Sequence, residues 1–153
     1  MNRSRVISLQ RGFSLIESLV ALVVLSVGML GIAAQFVEGL KASRTAVYRT
    51  AAVQLASDMM ERIRANPGAE GDYELAAAIS ADCINGAADC DETAIARTDI
   101  LVWETEVGLR MPIGVTTSIV VTDTAPTNLY NVTVSWPEPG YESELSYTLM
   151  TQL

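Results

Sequence analysis

Gly12-Phe13-Ser14-Leu15-Ile16-Glu17 runs directly into Ser18-Leu19-Val20-Ala21-Leu22-Val23-Val24-Leu25. The first six residues join a basic leader to a long apolar run and leave one carboxylate inside that run. Between Phe13 and Ala34 the only charged side chain is Glu17. A bilayer-crossing helix needs about 20 predominantly apolar residues, which this run supplies. A carboxylate at mid-membrane costs roughly 2.5–3.5 kcal/mol on insertion scales. Anchoring alone would favour leucine at that position, so Glu17 marks a function and requires a partner.

Outward from this stretch, the chain has 153 residues, enough for one membrane helix and one small soluble domain. The formal net charge of −8 disfavours nucleic acid as a partner. Histidine is absent, which excludes Ser/His/Asp and Cys/His catalysis and any His-containing metal site. No dense nucleophile/base cluster and no phosphate-cradling glycine motif stands in its place, so an enzyme is not expected, nor is a cofactor or metal. Arg3, Arg5 and Arg11 precede the apolar run, and positive-inside bias puts them in the cytoplasm and the remainder across the membrane. Lys41, Arg44 and Arg49 weaken that bias, but Glu38 and the many later acids offset them. Cleavage after Gly12 would take three of the ten basic residues and leave seven against 18 acidic ones. A cleaved secretory signal fits less well, because the apolar run is too long and Gly31-Ile32-Ala33-Ala34 is the nearest approach to a small-residue cleavage site.

From Phe13 the helical pattern continues past the membrane. Val47, Ala51, Leu55, Met59 and Ile63 recur at i+4 with Leu40 in line, while Arg44, Arg49, Asp58, Glu61, Arg62 and Arg64 occupy the other face. Asn66-Pro67-Gly68 ends the helix, since Pro67 disfavours helical backbone at Asn66. Gly28 and Gly31 read either as small residues for close helix packing or as a point where the helix can unwind.

Residues 67–92 are irregular and acidic, with a helical turn or two over Tyr73–Ile79. Cys83 and Cys90 read as a small disulfide-closed loop around an Asn85-Gly86 turn, on the oxidising side of the membrane. Ile95, Asp99, Trp103, Val107 and Met111 recur at i+4, which predicts a helix ending at Met111-Pro112. Beyond Pro112 the period becomes two. Val115–Thr122, Tyr130–Trp136 and Leu145–Leu149 predict three strands with turns at Thr122–Asn128 and Pro137–Gly140. The expected fold is α+β: a long N-terminal helix whose amphipathic half packs on an antiparallel β-meander.

Gly12-Phe13-Ser14-Leu15-Ile16-Glu17 resembles the prepilin processing motif of type IV pilins and type II secretion pseudopilins. A short basic leader, a Gly-Phe junction and a glutamate five residues into the mature helix coincide. The resemblance implies cleavage between Gly12 and Phe13 by prepilin peptidase and N-methylation of Phe13. It also supplies the partner for Glu17, the Phe13 amine of a neighbouring subunit. Residues 19–31 are similar to the apolar block of the PilV family of type IV pilus modification proteins. Ala56-Ser57-Asp58-Met59-Met60-Glu61-Arg62-Ile63-Arg64-Ala65-Asn66-Pro67 resembles that family's second signature. Asp99 with Trp103, Met111-Pro112-x-Gly114, and Tyr130-x-Val132-x-Val134-x-Trp136 fit its remaining landmarks, with Met111 where leucine is usual. The cysteine pair lies between helix and sheet, whereas many major pilins close a C-terminal loop, which favours a minor subunit.

The resulting organisation is a leader at 1–12, a membrane and assembly half at 13–37, an amphipathic half at 38–66 and a periplasmic pilin-like domain at 67–153. The expected role is that of a minor pilin in initiation or assembly of type IV pili. It would be held in the bacterial inner membrane as a single-pass protein and then pass into the pilus. Expected partners are prepilin peptidase and other minor and major pilins. The rival readings are a minor pseudopilin of a type II secretion system and a signal-anchored periplasmic binding domain.

Overall fold

The computed structural model describes residues 12–74, 83–84, 90–124 and 126–153. The leader residues 1–11, most of the expected turn at 73–79 and the Asn85-Gly86 turn lie outside the described residues. The chain divides into two compact units, residues 1–43 and 44–153.

Helix α1 spans Leu15–Ala65. It begins two residues after Phe13, with the Ser14 carbonyl accepting from Glu17 N (3.1 Å) and Ser18 N (3.2 Å). Pro67 ends it where the sequence pattern placed its end. Among the described residues of the first unit no apolar side chain is buried; the residues from Leu15 to Leu40 are exposed throughout. Ser26 Oγ donates to the Leu22 carbonyl at 2.7 Å, so its hydroxyl is satisfied within the helix. That is the requirement lipid imposes on a polar group. The structure is helical through Gly28 and Gly31, and nothing approaches either one from outside its own helix.

In the second unit the same helix becomes amphipathic. Ala51, Ala52, Leu55, Ala56, Met59, Met60 and Ile63 are buried. The stripe therefore starts later than its spacing suggested: Leu40 (71%) and Val47 (61%) are exposed. It is also broader, because a helix lying on a sheet buries the i+1 neighbours Ala52, Ala56 and Met60 as well.

A 3₁₀ helix over Pro67–Tyr73 takes part of the stretch expected to be irregular. Helix α2, Glu92–Arg110, is N-capped by Asp91, whose carboxylate accepts from Ala94 N at 2.7 Å. It ends at Met111-Pro112 as its pattern predicts, but its buried face is Ala96, Thr98, Ile100, Trp103 and Val107. Ile95 stays partly exposed, so the core line of α2 is offset from the i+4 series in its first half.

Strands β1 (Thr116–Thr124), β2 (Thr127–Trp136) and β3 (Leu145–Gln152) form one antiparallel sheet in the order β1-β2-β3. The first hairpin is tighter than expected. Thr124 already faces Thr127, and the Thr124 hydroxyl donates to the Thr127 carbonyl at 2.9 Å. One sheet face carries Ile119, Tyr130, Val132, Val134 and Trp136, all buried, with Leu145, Tyr147 and Leu149 packed against them. These residues, the buried stripe of α1 and the inner face of α2 make one core. The fold is thus the α+β, pilin-like arrangement of a long helix on a three-stranded antiparallel sheet.

Candidate functional site

Two places carry the residues that the sequence singled out. The first is the start of α1. Gly12 has no neighbour within 4 Å of where a Cβ would stand, and Phe13 is 74% exposed. Both positions are open among the described residues. Glu17 lies in the first turn of α1, where the positive end of the helix dipole favours a carboxylate. None of the ion pairs among the described residues includes it. The structure therefore brings Gly12, Phe13 and Glu17 onto one open helix start. α1 contains a window long and apolar enough to cross a membrane, none of it buried.

The second place is the end of α1, where the Ala56–Pro67 signature sits. Arg62 was expected on the solvent face. Instead Nε donates to Asp58 Oδ2 (2.9 Å) and Nη1 to Asp99 Oδ1 (3.1 Å), tying α1 to α2. Burial works against the Arg62 charge, but hydrogen bonds and attraction from Asp58 and Asp99 outweigh it and hold the guanidinium above its ordinary range. Tyr73 Oη donates to Asp99 Oδ2 at 2.9 Å and lies 3.2 Å from the Arg62 carbonyl. Burial pushes the Tyr73 phenol well above its usual value, and the adjacent Asp99 carboxylate adds to that effect. Asn66 Nδ2 donates to the Glu92 carbonyl at 2.8 Å, and Trp103 Nε1 to the Leu55 carbonyl at 2.8 Å. Trp103 thereby satisfies its indole N–H while filling the core.

The chemistry of this cluster is cohesion. Each polar group of Arg62, Asn66, Tyr73, Asp99 and Trp103 that ties the helix end together meets a protein partner, and a satisfied network of this kind specifies one packing of two helices. Cys83 and Cys90 are joined in a disulfide with Cα atoms 6.0 Å apart. Among the described residues no group of histidine, cysteine or acidic side chains could hold a metal ion.

One pair was not legible beforehand. Glu138 lies in the Pro137-Glu138-Pro139-Gly140 turn, yet its side chain is only 1% exposed. Arg44 meets its Oε1 with Nε at 3.0 Å and Nη2 at 2.8 Å. The partners are 94 residues apart, and both had the appearance of ordinary surface charges.

An open, apolar, helical N-terminal segment in front of an α+β domain defines the class. The comparisons narrow it. Residues 34–101 match the family model described as type IV pilin Tt1218. Residues 7–33 match the prokaryotic N-terminal methylation motif. No curated protein and no solved structure matches the chain. Neither family match alone covers half of the chain, but end to end they run from residue 7 to residue 101. The first takes in Arg62, Asn66, Tyr73 and Asp99 of the cluster and the second the whole Gly12–Glu17 stretch. Together they support a type IV pilin with a pilin's role in the pilus.

Proposed function

We propose that this chain is a minor pilin of the PilV kind that helps to start or extend type IV pilus assembly. Prepilin peptidase cuts between Gly12 and Phe13, Phe13 is N-methylated, and the mature chain waits in the inner membrane with its C-terminal domain in the periplasm. On assembly, the Glu17 carboxylate pairs with the Phe13 amine of a neighbouring subunit. A cation and a carboxylate in apolar surroundings each need a partner, and a paired charge sets the axial register that apolar helices alone leave free. The observation that carries this reading is the wholly exposed apolar run of α1 with one acid in its first turn that joins no ion pair among the described residues, close after Gly12-Phe13. The PilV assignment rests on the resemblance of the Ala56–Pro67 signature, which supports a pilus over a secretion pseudopilus.

Mass spectrometry of sheared pili tests it. The expected product is this chain's N-terminal peptide beginning at methylated Phe13. A processed peptide confined to the membrane fraction of a secreting strain would instead point to a minor pseudopilin. An intact leader would point to a signal-anchored binding domain. Gly12→Leu should abolish processing and leave only the full-length chain on an immunoblot.

A further inference from the structure

Two tight turns stand side by side in the second unit. In one, the Pro112 carbonyl accepts from Val115 N at 3.1 Å and Gly114 has φ +92°. In the other, the Glu138 carbonyl accepts from Tyr141 N at 3.1 Å and Gly140 has φ +100°. A positive φ at the third of four residues is the type II pattern, which calls for glycine there and favours proline at the second position. Pro139 meets that preference and Ile113 does not. The turns brace one another: a Cβ on Gly114 would stand 3.2 Å from the Pro137 ring. Ile113 is thereby held at the tip of its turn, 100% exposed. Pro139 and Tyr141 are exposed too, and all three line one open cavity. A fully exposed isoleucine adds nothing to the core, and a polar residue would serve the turn as well. A cluster of apolar tips on braced turns suits a surface that enters apolar material.

Covalent connection selects the material. Arg44, the first residue of this unit, lines the same cavity as the tips. Glu38 is the first charge after the apolar run, and the six residues from it to Arg44 reach at most about 21 Å. A bilayer's headgroup layer takes up about 5–8 Å of that reach. With the apolar run in a bilayer, the part of the domain that carries Ile113 is tethered close to the lipid surface. Tyrosine settles at headgroup level, and aliphatic side chains settle just below it. Among the charged side chains lining the cavity, Arg44 and Glu138 pair, so Glu142 and Glu144 give this region its sign. That sign disfavours anionic lipid and suits a headgroup that carries an ammonium.

We infer that, while the chain is held in a membrane, its domain rests on a zwitterionic lipid surface through Ile113, Pro139 and Tyr141. This inference rests on the reading of the apolar run of α1 as membrane-embedded.

The full chain in phosphatidylcholine–phosphatidylethanolamine vesicles, with nitroxide-labelled lipid as quencher, tests it. A single fluorophore is attached at Ser143→Cys, an exposed position beside the tips, at Glu61→Cys farther along α1, or at Leu22→Cys in the apolar run. Labels at 22 and 143 should be quenched, and the label at 61 should not. Ile113→Asp changes a fully exposed side chain and should leave the fold intact. It should shift the ratio of docked to free domains at least about tenfold towards free, removing most of the quenching at 143 and none at 22. Quenching at 22 with none at 143, or equal quenching at 143 with and without Ile113→Asp, overturns the inference and leaves the membrane reading standing. Quenching at neither site overturns both. A label at 143 that is unquenched in vesicles but shielded from iodide in sheared pili overturns it and makes the tips a contact between subunits. Quenching at 143 that grows as phosphatidylglycerol replaces phosphatidylcholine overturns the zwitterionic assignment.

Discussion

The two parts of α1 share one backbone conformation and differ in what surrounds them. Up to Ser43 the helix shows its apolar side chains on all sides, with a single acid in its first turn. From Arg44 onward it buries a stripe of them from Ala51 to Ile63, and several of its charges pair, two of them with residues far along the chain: Arg44 with Glu138, Arg62 with Asp58 and Asp99, Arg64 with Glu61. A helix that is apolar all round needs a solvent of lipid or other helices; one with a stripe needs a domain. One helix thus serves two surroundings, and the changeover falls at the first charge with a partner far along the chain, Arg44.

Removing a large core contact on the domain side should affect that half of α1 alone. Trp103 is fully buried and bonded to the Leu55 carbonyl. Trp103→Ala should cost about 3–5 kcal/mol and abolish protease resistance of the domain, while membrane fractionation stays unchanged. Leu22→Ala, on the open half, should change domain stability by less than about 0.5 kcal/mol in the same assay. A comparable loss from both would mean that the halves do not answer to different surroundings.

Glu17→Ala attacks the open half at its one polar point. Insertion should be intact, because a costly charge is removed. Breaking a buried pair costs roughly 3–5 kcal/mol, so incorporation into the filament should fall by more than about a hundredfold, read by quantitative immunoblot of sheared pili. Normal incorporation would end the pairing hypothesis.

Cys83→Ser with Cys90→Ser opens a short loop and should lower domain stability by about 2–3 kcal/mol. The check is the denaturant midpoint of the full chain in detergent, with membrane extraction unaffected.

The smallest effect concerns pH. The Tyr73 phenol is held above its ordinary value by burial. The folded state thus keeps a proton that the unfolded chain gives up above about pH 10. The contribution is complete below that pH and is lost as pH rises toward the folded value. Tyr73→Phe should cost about 1 kcal/mol near neutrality, the worth of a typical hydrogen bond. It should also flatten the decline in stability above about pH 10, measured by alkaline denaturation of both proteins.

Features encoded over a few neighbouring residues were legible in the chain before it folded. The apolar run, the Gly12–Glu17 motif, the end of α1 at Asn66-Pro67, the end of α2 at Met111-Pro112 and the alternation in β2 are of this kind. Each arises from a backbone period, a proline's lost N–H or the length of a bilayer, all of which act locally. Which apolar positions are covered depends on long-range packing. Leu40 and Val47 continue the helical stripe yet stay exposed, while Met60 and Ala52, off the i+4 line, are buried. It also turned Arg62 from a surface charge into the link between two helices and drew Glu138 out of a solvent turn onto Arg44. Such partners meet only after the chain has returned on itself, 37 residues later for Asp99 and 94 for Glu138, so no local period can announce them.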